Sequence, residues 1–171
     1  NRCGISARKI TVSTAGIPDA IRRLAGEDLP ITLAISLHAP TDALRAQLMP
    51  TAAKYPIREI LAAAEAYYHS RKREITLEYT LLDDVNDTSA CADALAKLAK
   101  RLRCNVNLIR YNSVSSLPFA RSDERKLEAF TQRLRQRGVN VNVRRSQGAD
   151  IEAACGQLRR NHDVDATSGT R

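Results

Sequence analysis

The sequence predicts an α/β fold in which parallel strands form an open sheet or part of a (β/α) barrel. Five short apolar runs alternate with longer amphipathic stretches along the chain. Strands that alternate with helices run parallel, because right-handed crossovers are strongly favoured. Eight strands would close a full barrel, so five indicate an open sheet or an incomplete barrel. At 171 residues, the chain is long enough for one domain with a sizeable core.

The five predicted strands are rich in β-branched and aliphatic residues. The second is nearly continuous in apolar residues, which is typical of a strand buried on both faces. The third and fifth alternate between apolar and polar residues, as strands with one covered face do. The predicted strands span residues 9–14, 31–36, 74–82, 105–110 and 139–144.

Proline, glycine and capping residues mark the first three helices. Pro18 suits the first turn of a helix that Gly26 ends, and Pro56 suits the start of a longer helix. Thr41 or Asp42 is the predicted cap of a short helix between these two.

Apolar stripes predict two further helices. Ser122 is the predicted cap of the second, with Asp123 and Glu124 in its first turn and Gly138 at its end. Apolar residues recur at helical spacing in both. The stripes are Cys91, Ala94, Leu95, Leu98 and Leu102 in the first helix, and Leu127, Phe130 and Leu134 in the second. Residues 151–158 are predicted to form one last short helix.

The net charge of +8 lies mostly in the last two-fifths of the chain. Residues 1–100 carry 13 basic and 12 acidic side chains, whereas residues 101–171 carry 14 and 7. Such an excess attracts a polyanion such as nucleic acid, the alternative being an arginine-rich surface without a partner. The aliphatic content excludes a disordered chain, and no apolar run reaches the roughly 18 to 20 residues of a membrane span.

The four cysteines form no metal-binding or disulfide pattern. No CxxC or CxxH pair occurs, and four cysteines are too few for a disulfide scaffold, so a reduced, cytoplasmic setting is expected. Cys91 and Cys104 are predicted core residues. Cys155 has small neighbours and arginines nearby in sequence, which favours a reactive thiolate. A packed thiol fits its composition equally well.

Ligands of parallel α/β folds bind at the carboxyl ends of the strands, so the residues after each strand are candidate site residues. Hydroxyl, amide and imidazole groups there suit a zwitterionic ligand with ribose hydroxyls. His38 either orients its loop or contacts the ligand. The acidic run 83–87 is interpreted as a polar turn, and no metal ligand is predicted. The segments are STAG (13–16), SLHAP (36–40), LDDVND (82–87), RYNS (110–113) and RRSQGAD (144–150).

Five motifs occur in series over about residues 4–160. They are VSTAG (12–16), AISLHAP (34–40), EY (78–79) with DDVND (83–87), NLI (107–109) before YN (111–112), and GADIEAACGQL (148–158). Together they resemble the RlmN/Cfr family of radical S-adenosylmethionine (SAM) enzymes, which methylate carbon 2 or carbon 8 of an adenine in 23S ribosomal RNA. The sequence is more similar to the RlmN type. The resemblance implies the C-terminal part of a radical SAM core, a partial (β/α) barrel over residues 1–160, followed by a disordered polar tail at 161–171.

The resemblance also implies a covalent mechanism. In the family a cysteine, matched here by Cys155, first accepts a methyl group from SAM. A second SAM is cleaved reductively at a [4Fe-4S] cluster, and the resulting 5′-deoxyadenosyl radical removes hydrogen from the methylated sulfur. The carbon radical then adds to the base, and a second cysteine releases the product by forming a disulfide with the first. Covalent catalysis thereby splits one inaccessible step into easier ones.

Cofactor contacts follow from the same resemblance. The SAM-contacting positions of the family match Ser13, Ser36, Leu37, His38 and Asn112. The cluster motif CxxxCxxC, a Gly-Glu motif, the resolving cysteine and the accessory RNA-binding domain have no match in the sequence. The chain is therefore expected to be the C-terminal part of the enzyme and, alone, neither to bind a cluster nor to methylate RNA. Anaerobic reconstitution with iron and sulfide, followed by a methyl-transfer assay, tests this expectation.

The implied partners are 23S rRNA, with transfer RNA left open as a second substrate, and an electron donor for the cluster. A membrane partner is not expected, and the full-length protein is expected to be monomeric. A non-catalytic RNA-binding module and a carbon-8 methyltransferase are the alternatives. RNA contacts are predicted from some of Arg121, Arg125, Lys126, Arg144 and Arg145, a solvated helix face being the alternative for the first three.

Overall fold

The computed structural model describes residues 6–113 and 117–144, which form a five-stranded parallel sheet with helices between the strands. All five predicted strands are present, with ends within two residues of those predicted. The strands are β1 (Thr11–Thr14), β2 (Thr32–Ser36), β3 (Ile75–Leu81), β4 (Cys104–Arg110) and β5 (Asn140–Arg144). The helices are α1 (Pro18–Gly26), α2 (Asp42–Leu48), α3 (Ile57–Arg71), α4 (Ser89–Ala99) and α5 (Glu124–Gln136), with 3-10 turns at Ala7–Lys9 and Pro50–Ala52.

The strands lie side by side in chain order, β1-β2-β3-β4-β5, and every neighbouring pair is parallel. A right-handed crossover between successive neighbours always returns on the same side of the sheet. The strand order therefore never reverses. In a doubly wound sheet, by contrast, it does reverse. This is the arrangement of a (β/α) barrel with fewer strands than a closed one, and the predicted partial barrel is confirmed.

The two faces of the sheet differ in composition. Paired residues in neighbouring parallel strands share a face, and successive residues alternate between faces. In β3 the four odd-numbered residues from Ile75 to Leu81 are buried, whereas the three between them are half-buried. One face is therefore apolar. The other carries a register row of Ser36, Glu78, Asn107 and Asn142.

The core lies between the apolar face and the helices. The rings of Tyr79 and Phe130 stack with centroids 5.6 Å apart, which joins β3 to α5. The hydroxyl of Tyr67 on α3 donates to the carbonyl of Ile31, 2.7 Å away. Buried apolar side chains such as Leu77 and Leu108 fill the space between these aromatic contacts. Burial on this face supplies the main stabilisation of the fold.

Two local predictions about helices are corrected by the tertiary structure. Asp123, and not Ser122, caps α5, because its carboxylate accepts from the Lys126 amide at 2.7 Å. The Ser122 hydroxyl instead donates to Asp87 at 2.7 Å in a buried contact. The stripe predicted for α4 is displaced, since the helix ends at Ala99. Its buried residues are Ala92, Leu95, Ala96 and Ala99, and the other predicted stripe members pack half-buried at the margin of the core.

The prediction that β2 is covered on both faces holds only in part. Leu33 and Ile35 face the core, and Ala34 is buried on the opposite face, but Thr32 and Ser36 are half-buried there. The predicted helix at 151–158 and the tail at 161–171 lie outside the described residues. Among the helices that the structure describes, none has the length and apolar character of a membrane span.

Candidate functional site

The carboxyl ends of the strands meet at one rim of the polar face. Ser13 is paired in register with Ala34, two residues before Ser36, so both serines point to this face from neighbouring strands. Ser13 is exposed and Ser36 is half-buried. The structure thus brings together the two hydroxyls that the sequence predicted separately.

His38 follows β2 and is held in a left-handed backbone conformation, with φ of 56°. Such a conformation is unfavourable for a non-glycine residue and needs support from its surroundings. The His38 amide donates to the Glu78 carbonyl at 3.2 Å, and the His38 carbonyl accepts from the Asn86 side chain at 2.8 Å. The backbone of β3 and its following loop therefore fix the position of the imidazole.

The imidazole of His38 is neutral at physiological pH. Its Nδ1 accepts from the Thr80 amide at 3.1 Å, so the proton of the neutral ring is on Nε2. Burial, together with the nearby Arg45 guanidinium, lowers the pKa of His38 to about 4. The two sequence interpretations of His38 do not exclude each other, because Nδ1 orients the loop while Nε2–H is the ring's remaining hydrogen-bond donor.

Asn86 organises the rim from a fully buried position that the sequence did not distinguish from an ordinary turn residue. Its side-chain oxygen accepts from the Leu82 amide at 2.8 Å, and its amide nitrogen donates to the carbonyls of His38 and Thr80, both at 2.8 Å. The Tyr79 hydroxyl donates to the Asn86 carbonyl at 2.9 Å. One side chain thus joins the loops that follow β2 and β3.

Arg45 on α2 supports the loop that follows β1, a role for which the sequence carried no signal. Its side chain is 1% exposed, and its guanidinium donates to the carbonyls of Ala15 and Ala52. Gly16, with φ of 83°, lies against this side chain: a Cβ there would be 2.9 Å from Ile60 Cδ1 and 3.3 Å from Arg45 Nη2. Only glycine fits both the backbone conformation and the space.

Leu37 and Asn112 are the remaining predicted cofactor contacts. The Leu37 side chain is in the core and its amide donates to the Glu78 carbonyl at 3.0 Å, so it can offer a ligand only main-chain atoms. Asn112 follows β4 and is half-buried. Beside it, the Tyr111 ring meets the Phe119 ring edge to face, and the Tyr111 hydroxyl is buried without a partner among the described residues. This loop therefore presents an amide and an unpaired hydroxyl.

A single lysine pairs with the acidic run after β3 and offsets part of its negative charge. Lys126 Nζ lies 2.7 Å from Asp83, 2.5 Å from Asp84 and 3.9 Å from Asp87, and these carboxylates raise the pKa of Lys126. Among the described residues no group of three or more potential ligands is placed to hold a metal ion. The arrangement ties the loop to α5.

The predicted RNA-contacting residues differ in their surroundings. Lys126 is engaged by the carboxylates, and Arg121 Nη2 pairs with Glu124 at 3.3 Å. Arg125 and Arg144 are exposed. Arg145 and the predicted methyl carrier Cys155 lie outside the described residues.

The two cysteines within the described ranges are packed against the helical side of the sheet. Cys91 on α4 and Cys104 on β4 are half-buried and free, so the predicted core residues lie at the margin of the core and not inside it. Burial raises the pKa of Cys104 to about 12, so its thiolate is not populated at neutral pH. Neither is placed as a reactive group.

Comparisons with known proteins identify the relatives of this fold. The chain is 46% identical over 158 residues to the “probable dual-specificity RNA methyltransferase RlmN” of Lachnoclostridium phytofermentans, covering 92% of the chain and 44% of the relative. It is 48% identical over 166 residues to the protein of the same name from Parafrankia, covering 97% of the chain and 43% of the relative. The chain thus spans less than half the length of these relatives. A search of family models finds no match.

Solved structures agree with the sequence comparison. The crystal structure of a radical SAM methyltransferase from Sphaerobacter thermophilus is 48% identical and superposes with a TM-score of 0.86, covering 90% of the chain and 45% of that protein. A domain of a pyruvate-formate lyase-activating enzyme from Bacteroides vulgatus superposes with a TM-score of 0.61 at 14% identity. The second likeness concerns the fold alone.

Proposed function

Because the chain belongs to the RlmN family of RNA methyltransferases, we propose that it forms the SAM-binding and RNA-facing part of an enzyme that methylates carbon 2 of an adenine in 23S rRNA. The observation that carries the proposal is the clustering of Ser13, Ser36 and His38, matched from the family's SAM contacts, at one rim of the polar face. The relatives are named dual-specificity RNA methyltransferases, and transfer RNA is the second substrate that we propose. A cytoplasmic setting, an electron donor and a monomeric full-length state belong to the same proposal.

The rim offers groups that fit SAM. The serine hydroxyls donate and accept, His38 Nε2–H donates, and the Asn112 amide does both, which suits ribose hydroxyls, an amino group and a carboxylate. The hydroxyl of Tyr111, which has no partner among residues 6–113 and 117–144, is a further buried polar atom at this end of the sheet. SAM would supply an electrophilic methyl group, and the residues of this chain would position it.

A [4Fe-4S] cluster does not fit the described residues. A cluster needs several thiolates close together, whereas Cys91 and Cys104 lie on the helical side and no candidate ligand group is found within 6–113 and 117–144. Membership of the family implies that a full-length enzyme holds the cluster. No step on the described residues depends on it.

Cys155 is the proposed methyl carrier. After losing its proton to solvent, its thiolate would accept the methyl group of bound SAM, with a sulfur–carbon bond formed as the carbon–sulfonium bond breaks and S-adenosylhomocysteine released. Neighbouring arginines in the sequence, such as Arg144 and Arg159, favour the thiolate.

SAM binding by this chain tests the rim directly. Replacing both Ser13 and Ser36 by alanine removes two ligand hydrogen bonds, which weakens binding by about tenfold. Isothermal titration calorimetry measures the change, with the exposed Ser89→Ala as the control. Equal SAM affinity in the double variant and the control would contradict the proposed site.

Methyl transfer tests the function itself. In a chimaera, this chain replaces the homologous segment of the Sphaerobacter thermophilus enzyme, and the product is reconstituted anaerobically with iron, sulfide and a reductant. We expect Cys155→Ala to abolish methyl transfer and leave RNA affinity unchanged, with Cys91→Ala as the matched control. Mass spectrometry of the modified nucleoside distinguishes carbon 2 from carbon 8. RNA binding without methyl transfer in the parent chimaera would favour the non-catalytic alternative.

A further inference from the structure

The two ends of the sheet carry opposite charge in the part of the chain that the structure describes. The connections that enter the strands hold eight basic and three acidic residues, a net charge of +5. The described connections that leave β1 to β4 hold one basic and four acidic residues, a net charge of −3. The positive end is therefore the one opposite the candidate SAM site.

This charge surrounds a groove at the amino ends of β4 and β5. The groove has a volume of about 530 Å³ and is lined by Glu74, Ala99 to Asn105 and Gly138 to Asn140. Lys100, Arg101 and Arg103 are exposed along it. Arg103 is only weakly engaged, since its Nε lies 4.0 Å from Glu74.

Polar amides complete the lining of the groove. The Asn140 side chain donates to Asn105, whose own amide nitrogen donates to Glu74 at 3.2 Å. Arginine, lysine and asparagine side chains are the groups that contact phosphate and sugar oxygens in protein–nucleic acid complexes. A single acidic residue, Glu74, opposes the three cations of the groove.

We propose that this amino-end groove, defined by Lys100, Arg101, Arg103, Asn105 and Asn140, binds the phosphate backbone of the RNA substrate at a point remote from the modified base. The inference rests on the proposed function, because it concerns the same RNA. β4 has seven residues, so the groove is roughly 20 Å from the rim at about 3.3 Å per residue. A folded RNA is large enough to reach both.

An acidic protein partner is the competing occupant, and the groove is poorly suited to it. Stable protein interfaces are centred on buried aromatic or large apolar anchors. The large hydrophobic side chains exposed in the described ranges are Ile10, Ile17, Leu29 and Leu117, and none of them lines the groove. Its apolar lining residues, such as Leu102 and Val139, are half-buried or buried, so the groove provides charge and hydrogen-bond donors without a large exposed apolar anchor.

The test compares two variants of this chain with equal loss of charge. The groove variant carries Lys100→Gln, Arg101→Gln and Arg103→Gln. The control variant carries Arg23→Gln, Lys54→Gln and Arg58→Gln, three exposed cations on other parts of the surface. Fluorescence anisotropy measures binding to a labelled 16-base-pair RNA duplex at several salt concentrations, after circular dichroism has shown that both variants are folded.

We expect the groove variant to bind the duplex about tenfold more weakly than the control. The slope of log K against log salt should fall in magnitude by up to about 2.7, since each of the three lost phosphate contacts contributes about 0.9. Equal affinities and slopes would overturn the proposal. So would a groove variant that loses affinity for poly-L-glutamate but not for RNA, because this indicates an acidic protein partner.

Methyl transfer by the chimaera separates this proposal from the proposed function. With the groove substitutions, we expect an unchanged rate on a short hairpin that holds only the target adenine and a raised KM on the large folded RNA. If the parent chimaera methylates neither RNA, the proposed function fails. If it methylates both and the groove variant matches the control, the groove proposal fails alone.

Discussion

The two ends of the sheet differ in how their side chains are held and in their charge. At the carboxyl end, buried polar side chains such as Asn86 and Arg45 hold the loops in fixed conformations, one of them a left-handed histidine. At the amino end, most residues of the described connections are exposed, and together they carry a net positive charge. Fixed geometry suits the positioning of a small ligand, whereas exposed positive charge suits a backbone whose sequence need not be read.

The contrast implies that stability and function are distributed differently between the ends. Substitutions of the buried polar residues at the carboxyl end, such as Asn86 and Arg45, should lower the free energy of unfolding because they leave buried groups unpaired. Substitutions at the amino end should leave folding nearly unchanged and alter only association with a polyanion.

The largest expected effect comes from Asn86. Its replacement by alanine leaves the Leu82 amide and the carbonyls of His38 and Thr80 without partners, and we expect a loss of about 3 kcal/mol of unfolding free energy. Asn105→Ala at the amino end, where the side chain is only half-buried, should cost less than about 1 kcal/mol. Urea denaturation measures both. Similar losses in the two variants would remove the distinction between the ends.

The next largest expected effect is a loss of folding stability at low pH, caused by His38. The pKa of His38 is about 4 in the folded chain and 6.5 without the fold, so the unfolded chain binds the extra proton between these values. Stability is therefore intact above pH 6.5 and falls as the pH drops towards 4, by about 2.5 kcal/mol between pH 7.5 and 4.5. The control is His38→Asn, because asparagine tolerates the left-handed conformation and does not titrate. Parallel pH profiles for the two proteins would show that His38 is not responsible.

Two glycines with positive φ, one at each end of the sheet, allow a matched comparison in which the expected changes in stability are smaller. Gly16 at the carboxyl end is crowded by Ile60 and Arg45, whereas a Cβ at Gly138 would meet only Lys100, 4.0 Å away. Both alanine variants carry backbone strain of about 1 kcal/mol, and Gly16→Ala adds overpacking, for a total of about 2 to 3 kcal/mol. Gly26→Ala, with open space around it, should be neutral or stabilising. Thermal denaturation of the three variants should reproduce this order.

The smallest effect on folding is expected at the amino-end groove. The combined substitution of Lys100, Arg101 and Arg103 by glutamine should change the unfolding free energy by no more than about 1 kcal/mol, because exposed cations contribute little. The same variant should show the weakened RNA binding described above. A large loss of stability would mean that these side chains support the fold, and the contrast between the ends would then fail.

The sequence was a reliable guide where local patterns decide the structure. Alternation of apolar and polar residues located β3 and β5, and proline and glycine located the ends of α1. It failed where a distant partner competes for a side chain. Ser122 has a good capping residue type, but Asp87 captures its hydroxyl, and Asp123 takes the cap.

Some residues of the candidate site were likewise predictable from the sequence, and others were not. Strand ends and family motifs selected Ser13, Ser36 and His38, because ligand sites of parallel folds follow from strand direction. The sequence did not reveal the burial of Arg45, since arginine is almost always exposed unless paired. Its partners are main-chain carbonyls contributed by the loop after β1 and the turn after α2.

The order of apolar runs, prolines and glycines by itself determined the five parallel strands, their helices and the end of the sheet at which a ligand should bind. Strands and helices follow from periodicities of two and 3.6 residues, and the parallel arrangement follows from the handedness of crossovers. The tertiary structure alone decided that Asn86 joins two loops and that Lys126 pairs with Asp83, 43 residues away in sequence. It also decided that, in the described part of the chain, the connections with net positive charge lie opposite the candidate SAM site. These outcomes depend on which distant groups approach within hydrogen-bonding distance, and no local pattern encodes that.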